Sequence, residues 1–215
     1  MIKLILTTND VLNIIRNIAE VIETNKQYLT DLDAAIGDAD HGINLDRGFK
    51  AIKEKLPQFL DKDIGAILKN VGMVLVSTVG GASGPLYGTF FMRMGSIALG
   101  KKAIGDNDIV AMFEAGLSGI KERGKAQAGD KTMIDAIEPA LNELKKSLED
   151  GLKFNEALSI AVNASYSGVE MTKKIAARRG RASYLGDRSI GHQDPGATSA
   201  YLMIKTAAEY MDKLQ

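Results

Sequence analysis

The sequence predicts an all-α protein, an eight-helix antiparallel up-and-down barrel or bundle. Three observations carry this. Apolar residues recur at three- and four-residue spacing along almost the whole chain. No segment alternates apolar and polar residues between turn signals, so no strand is expected. The connections between periodic segments are mostly short, which makes consecutive helices antiparallel neighbours.

After the cap candidate Thr8, the residues Val11, Ile14, Ile15, Ile18 and Ile22 form the apolar face of a first helix reaching about Tyr28. The second runs from about Ile43 through Leu45, Phe49 and Ile52 and stops before Pro57, because proline disfavours helical geometry in its predecessor. Ile64, Ile67, Leu68, Val71, Val74 and Leu75 mark a third, from Asp63 to the Gly80-Gly81 pair. Leu86, Phe90, Met94 and Ile97 mark the fourth. Asp106 or Asn107 caps a fifth carrying Ile109, Met112, Phe113 and Ile120. The sixth holds Met133, Ile134, Ile137, Leu141, Leu144 and Leu148, ends at Gly151, and contains Pro139 as a point of kinking. The seventh follows through Leu158, Val162, Val169 and Ile175, and the eighth through Ala197, Tyr201, Ile204, Ala208 and Met211. Between these last two lies Ala177 to Gln193, with four arginines, three glycines and no helical face. Long loops in compact domains are usually functional or disordered, and this composition favours function.

A chain of 215 residues, 45% hydrophobic and 25% charged, is within reach of a single core, so one domain over 1–215 is expected. Lysine plus arginine equals aspartate plus glutamate at 27 each, with no long block of either sign. That argues against binding to nucleic acid by phosphate neutralisation. The absence of cysteine excludes disulfides, thiolate metal sites and cysteine nucleophiles. The apolar patch at Met1 to Thr8 has no signal-peptide h-region, and the longest apolar stretch, Val71 to Val79, is interrupted by Gly72, Ser77 and Thr78. It falls short of the ~20 residues of a membrane span. A cytoplasmic protein with no membrane partner is expected.

Polar chemistry is concentrated in two glycine-bearing segments, Gly37-Asp38-Ala39-Asp40-His41-Gly42 and Gly186 to Gly196, which together hold both histidines of the chain. On a continuous helix Asp33 and Asp40 would share a face and Asp38 would not, but Gly37 can end the helix and turn all three carboxylates toward one point. Converging carboxylates repel unless cations sit among them, and a hard divalent ion such as Mg²⁺ suits carboxylates, water and phosphate together. The competing reading is a set of helix caps in a solvated turn. An EF-hand is excluded, because Ile43 and Phe49 stand at its positions 6 and 12 counted from Asp38.

Gly80-Gly81-Ala82-Ser83-Gly84-Pro85 joins two helices and can hold an anion on amides at a helix N-terminus, although glycine-rich connections are often plain turns. Gly124 to Thr132 nearly spells a phosphate-binding P-loop, but Asp130 separates glycine from Lys131 and a helix precedes it, so a P-loop is rejected and the segment is kept as a nucleotide edge. Asp194-Pro195-Gly196 is a good helix start by itself. Arg178, Arg179, Arg181 and Arg188 just before it suit a phosphate clamp, since guanidinium offers forked donors to phosphate oxygens.

Taken together, Asp33 with Gly37 to Gly42, Gly80 to Gly84, Gly129 to Ala136 and Ser183 to Gly196 resemble the nucleotide-binding L subunit of dihydroxyacetone kinases, of the phosphoenolpyruvate- and phosphotransferase-system-dependent type. The resemblance covers essentially the whole chain. It implies a barrel with ADP or ATP and two Mg²⁺ at one end, the metals on Asp33, Asp38 and Asp40. Nucleotide contacts would be His41, Gly42, Ile43, Asn44, Ala82, Ser83, Gly124, Met133, Arg181, Asp194, Pro195 and Gly196, with Arg181 as the catalytic cation. That family often has glycine where this chain has Ala39, which narrows the backbone's freedom but leaves the carboxylates in place. The implied reaction is phosphoryl transfer to dihydroxyacetone held on a separate K subunit, with bound ADP rephosphorylated by a phosphohistidine of an M subunit. The rival readings are an ATP-exchanging kinase, the nucleotide-binding part of a fatty acid kinase, and a nucleotide-binding regulator acting on a transcription factor. Asp187 is expected to be structural.

Overall fold

A computed structural model describes residues 4–214, so the Met1 to Lys3 part of the N-terminal patch lies outside the described residues. Among the described residues nine α-helices follow one another: α1 (Thr8–Thr24), α2 (Lys26–Ile36), α3 (His41–Lys55), α4 (Ile64–Thr78), α5 (Ser83–Ile97), α6 (Asp106–Gly124), α7 (Ile134–Glu149), α8 (Phe154–Thr172) and α9 (Pro195–Asp212). The all-α class is as expected. The ninth helix arises because the first expected one is divided. Asn25 turns its side-chain amide back onto the Val21 carbonyl at 2.8 Å while its own N–H bonds the same oxygen at 3.0 Å. This local competition closes α1, and the chain restarts as α2.

From α3 onward, each helix packs on the next, and α1 packs on both α3 and α9, which closes the ring. Alternate connections meet at alternate ends. The α2–α3, α4–α5, α6–α7 and α8–α9 connections all line one cavity. At the other end Ile64 N–H donates to Lys101 O at 2.8 Å and Thr8 N–H to Lys102 O at 3.1 Å, joining the entry to α1, the α3–α4 connection and the α5–α6 connection. Four connections are thereby gathered at one end, and with them the N-termini of α3, α5, α7 and α9.

Local chemistry sets the helix starts. Thr7, rather than Thr8, caps α1 in a reciprocal box with Asp10, whose carboxylate accepts from Thr7 N–H at 2.8 Å. Asp63 caps α4 through Ala66 N–H at 2.8 Å, as expected. The N-cap of α6 is Gly105, ahead of the expected Asp106 or Asn107, and Asp108 accepts the Gly105 N–H at 3.2 Å. Just outside α1 and α6, β1 (Ile5–Thr7) and β2 (Ala103–Gly105) pair antiparallel with Leu6 opposite Ile104. Three-residue strands are too short for alternation to register in the sequence.

The core is one continuous cluster that includes Ile15, Ile22, Leu45, Ile52, Ile67 and Ile120. Helices α4 and α5 approach backbone to backbone through glycines seven residues apart on each: a Cβ on Gly65 would lie 2.5 Å from Gly95 O, and one on Gly72 would lie 2.6 Å from Gly88 O. Helix α7 is continuous through Pro139. Proline cannot donate to the Asp135 carbonyl, and that carbonyl faces α8 at Gly168, where a Cβ would stand 1.9 Å from the oxygen.

Candidate active site at one end of the barrel

The first residues of α3, α5, α7 and α9, namely His41, Ser83, Ile134 and Pro195, all border one cavity of about 360 Å³. This size is within the range of small-molecule sites. Each helix brings the positive end of its dipole to the cavity, although Asp33 caps α3 and Asp194 caps α9, so the helix ends favour anions there. The up-and-down topology alone produces this focusing.

Asp33, Asp38 and Asp40 stand at the cavity wall, with one carboxylate oxygen from each within 4.8 Å of the others. Gly37 permits the arrangement, because a Cβ there would lie 2.1 Å from Asp33 Oδ1. Ala39 adopts φ +59°, the left-handed conformation that swings Asp38 and Asp40 to the same side as Asp33. Asp33 Oδ2 accepts N–H bonds from Asp40 at 2.9 Å and His41 at 3.2 Å, so this carboxylate caps α3 from the preceding helix. Asp40 occupies the N-cap position itself but caps nothing with its side chain. The helix-cap reading therefore accounts for one carboxylate of the three. The trio suits a divalent cation: its oxygens are hard donors, and among the described residues no lysine or arginine pairs with Asp33 or Asp40.

Across the cavity Arg181 Nε pairs with Asp38 Oδ2 at 2.8 Å, and the Arg181 side chain remains 69% exposed. Arg179 also lines the cavity and meets Asp130 at 3.4 Å; Arg178 and Arg188 lie outside the lining. The loop expected between α8 and α9 is partly ordered as 3-10 turns over Arg181–Ser189 that break at Gly186, where φ is +55°. Asp194 caps α9 through Ala197 N–H at 2.7 Å. Burial pushes its carboxyl up to about 7, with the charges of Asp135 and Asp33 adding to the rise while Ala197 N–H and Lys131 oppose it. His41 is buried, and desolvation pulls its imidazole down to about 4 against the opposing pull of Asp33 and Asp40, so it is neutral.

Of the residues expected to touch nucleotide, His41, Ala82, Ser83, Gly124, Met133, Arg181, Asp194, Pro195 and Gly196 border the cavity. Gly42, Ile43 and Asn44 do not, because the helical turn after His41 carries them away. Gly42 packs on α2, where a Cβ would meet Lys26 O at 2.1 Å, and Ile43 faces outward at 45% exposure. Asn44 instead supports the glycine loop: its side chain lies about 3.0 Å from where a Cβ on Gly80 would be, and it accepts from Arg47 Nη2 at 2.7 Å. His192 contributes its carbonyl, which accepts from Lys131, and Asp187 O accepts from Ile190 N–H at 3.0 Å, a turn-forming contact.

Sequence reasoning missed three participants. Lys131, the residue of the P-loop-like segment, borders the cavity but spends its ammonium within the protein, bonding the carbonyls of Thr172 (2.8 Å), Ile175 (3.3 Å), Ser189 (2.5 Å) and His192 (2.7 Å). It ties the end of α8 to the strap that carries Arg181. Tyr87 and Ser199 are buried behind His41, Ser199 Oγ lying 2.9 Å from His41 Nε2 and 2.7 Å from the Tyr87 hydroxyl. Both occupy ordinary core positions of helices, and nothing in the local sequence sets them apart.

Fold and site thus define a class: an all-α barrel with a carboxylate cluster and an anion-attracting cavity at one end. The DAK2 domain model matches residues 35–209. The chain is 47% identical to the ADP-binding subunit DhaL of the PEP-dependent dihydroxyacetone kinase of Escherichia coli K12, over 94% of this chain and 97% of that one. It is 43% identical to the ADP-binding subunit DhaL of the PTS-dependent dihydroxyacetone kinase of Lactococcus lactis, over 88% of this chain and 91% of that one. The solved dihydroxyacetone kinase of C. freundii in complex with AMP-PNP and Mg²⁺ superposes with a TM-score of 0.70 at 28% identity, covering 93% of this chain but 33% of that longer one. The chain belongs to the DAK2 domain family.

Proposed function

We propose that this protein is the ADP-binding subunit of a phosphoenolpyruvate-dependent dihydroxyacetone kinase, its whole length forming one nucleotide-binding domain. The observation that carries this is the carboxylate trio Asp33, Asp38 and Asp40 beside a cavity on which four helix N-termini converge. An anion is attracted by the helix ends, and the carboxylates supply the seat of the cations that accompany it. Near-full-length similarity to two ADP-binding subunits supports the nucleotide, and the AMP-PNP and Mg²⁺ of the C. freundii complex support the metal.

In this reading Asp33, Asp38 and Asp40 hold two Mg²⁺, which neutralise phosphate oxygens when bound. Ser83 and the amides of the Gly80 to Ser83 loop face the phosphates, while Gly124, Met133 and the Asp194 to Gly196 turn border the rest of the nucleotide. Arg181 is the mobile cation. Its pair with Asp38 is largely exposed and hence worth at most about 1 kcal/mol, so a phosphate draws it away at small cost. Phosphoryl transfer requires charge neutralisation and alignment more than covalent help, and these groups supply both. The acceptor dihydroxyacetone would be held by a K subunit, and the bound ADP recharged by the phosphohistidine of an M subunit in the cytoplasm.

Calorimetric titration of ADP with and without Mg²⁺ tests the site. Binding should need the metal and fall at least tenfold in Asp38→Asn and Asp40→Asn, with helical circular dichroism unchanged. Equal binding in EDTA would remove the metal-site argument. Turnover of retained ADP by phosphoenolpyruvate with the partner subunits is the expected activity; free exchange with ATP would assign an ATP-dependent kinase instead.

A further inference from the structure

Two arginines of the strap border the cavity, and each is held through its Nε by an aspartate on a different connection. Arg181 meets Asp38 Oδ2 at 2.8 Å, and Arg179 meets Asp130 Oδ2 at 3.4 Å. The two aspartates differ in kind. Asp38 is partly exposed and belongs to the carboxylate trio, where in the reading above a cation claims it. Asp130 is buried, its side chain 5% exposed, and lies on the α6–α7 connection, where the same Oδ2 also accepts the Gln127 N–H at 3.0 Å. Arg181 therefore has a contested partner and Arg179 a permanent one.

The Arg179 side chain is not what joins the strap to that connection. Arg178 N–H already donates to Asp130 O at 3.0 Å, and Lys131 bonds the Ser189 and His192 carbonyls. What the contact with the Asp130 carboxylate adds is aim. A guanidinium has five N–H donors in a planar fork, so with Nε–H on Asp130 the four on Nη1 and Nη2 are left to a ligand. The place of Arg179 along the cavity is also set. Its anchor belongs to the connection that brings Gly124 and Met133 to the cavity, while Arg181, two residues on, reaches the carboxylates. In a nucleotide lying from the first pair to the second, the phosphates occupy the stretch between.

We infer that Arg179 is a second, preorganised phosphate-binding residue, distinct from the mobile Arg181, and that Asp130 is its positioning residue. The inference rests on the nucleotide reading given above. Arg181 must leave Asp38 to meet a phosphate, whereas Arg179 keeps Asp130 while its Nη groups take phosphate oxygens in the forked geometry that suits them. Its long side chain is thus ordered before the nucleotide arrives, which removes part of the entropy that binding would otherwise cost. Arg179 serves retention of the nucleotide, and Arg181 is left free to follow the charge that moves during transfer.

The test is calorimetric titration of ADP with Mg²⁺ into the full-length protein and into Arg179→Gln, Asp130→Asn and the double variant, with circular dichroism to establish that each is folded. Arg179→Gln should bind ADP about ten- to a hundredfold more weakly, the scale of a lost hydrogen bond to a charged group. Asp130→Asn keeps an acceptor for the Gln127 N–H but loses the charge that aims Arg179, so it should weaken ADP by about two- to tenfold, the cost of ordering one long side chain on binding. Because Asp130 acts through Arg179, that second loss should vanish in the double variant. An equal loss from Asp130→Asn in both backgrounds overturns the positioning role, since the carboxylate would then be supporting the connection itself. Arg179→Lys tests the aim without touching Asp130: its single ammonium is held by that carboxylate, so its affinity should stay near that of Arg179→Gln, and full wild-type affinity would show that charge without a directed fork suffices. Wild-type ADP affinity in Arg179→Gln overturns the inference and leaves the nucleotide site standing; loss of turnover with the partner subunits in that same variant would assign Arg179 to the docking face. No ADP binding by the wild type overturns the nucleotide reading, and the inference with it.

Discussion

Replacing Lys131 by methionine should destabilise the protein by about 3–5 kcal/mol, the scale expected when one partner of a buried charged cluster is removed. The side chain is buried, and burial lowers its amine from the ordinary lysine value. Its three hydrogens face four carbonyls, so three short bonds, to Thr172, Ser189 and His192, form the strong set, and Ile175 at 3.3 Å shares a hydrogen. Bonds from a charged donor are worth roughly 1.5–3 kcal/mol each, which gives a gross loss of about 4.5–9 kcal/mol. Methionine fills the aliphatic stem but brings no donor, and it also abolishes the several kcal/mol of desolvation that the ammonium costs, which reduces the loss to the stated range. Against a total stability of about 5–15 kcal/mol this is a large fraction. Urea unfolding followed by circular dichroism at pH 7 measures it. Because the carbonyls belong to the α8 end and the strap, trypsin should also cleave near Arg178, Arg179 and Arg181 well before global unfolding. A loss below about 1 kcal/mol, with the strap still resistant, would refute the assignment of Lys131 as its anchor.

Two further outcomes follow from single positions. Ala39→Gly should stabilise the protein by about 1 kcal/mol, because φ +59° is strained for a residue with a Cβ and free for glycine, partly offset by glycine's greater unfolded-state entropy. Urea midpoints check this, and no gain would mean that the turn is held without strain. Asp194→Asn retains a capping side chain but removes a buried charge. Because the folded carboxyl titrates at about 7 against an ordinary 3.8, the wild type is unpenalised below pH 3.8, loses stability as pH rises toward 7, and is level above it. The variant's advantage in metal-free buffer should therefore grow by a few kcal/mol between pH 4 and pH 8, since each tenfold change in proton affinity is worth about 1.4 kcal/mol. An advantage independent of pH would contradict a buried, proton-retaining Asp194.

The convergence of four helix N-termini on one cavity places the chemistry at the end of the barrel and away from its wall. An even-numbered alternation of up and down strokes gathers like ends together, so each end has its own electrostatic character before any side chain is chosen. The carboxylates Asp33, Asp38 and Asp40 are then the local answer to an excess of positive ends, provided that cations complete them.

Helical periodicity determined the class of fold and most helix positions without tertiary information, because an amphipathic face is written at three- and four-residue spacing wherever a helix lies against a core. The carboxylate turn was equally legible: Gly37, Asp38 and Asp40 are neighbours in sequence, so their convergence with Asp33 depends on one local turn. The break at Asn25 and the three-residue strands of the ribbon were not legible, since the first depends on a side chain choosing between two backbone states and the second on pairing across nearly a hundred residues. Gly42, Ile43 and Asn44 share a motif with His41, yet a helical turn separates neighbours by about 100° and only His41 faces the cavity. Lys131, Tyr87 and Ser199 acquired their roles entirely from the packing of α5, α7, α8 and α9. What a side chain meets across the barrel is fixed by closure of the ring, a non-local event that leaves no periodicity, cap or turn signal in the segment that carries it.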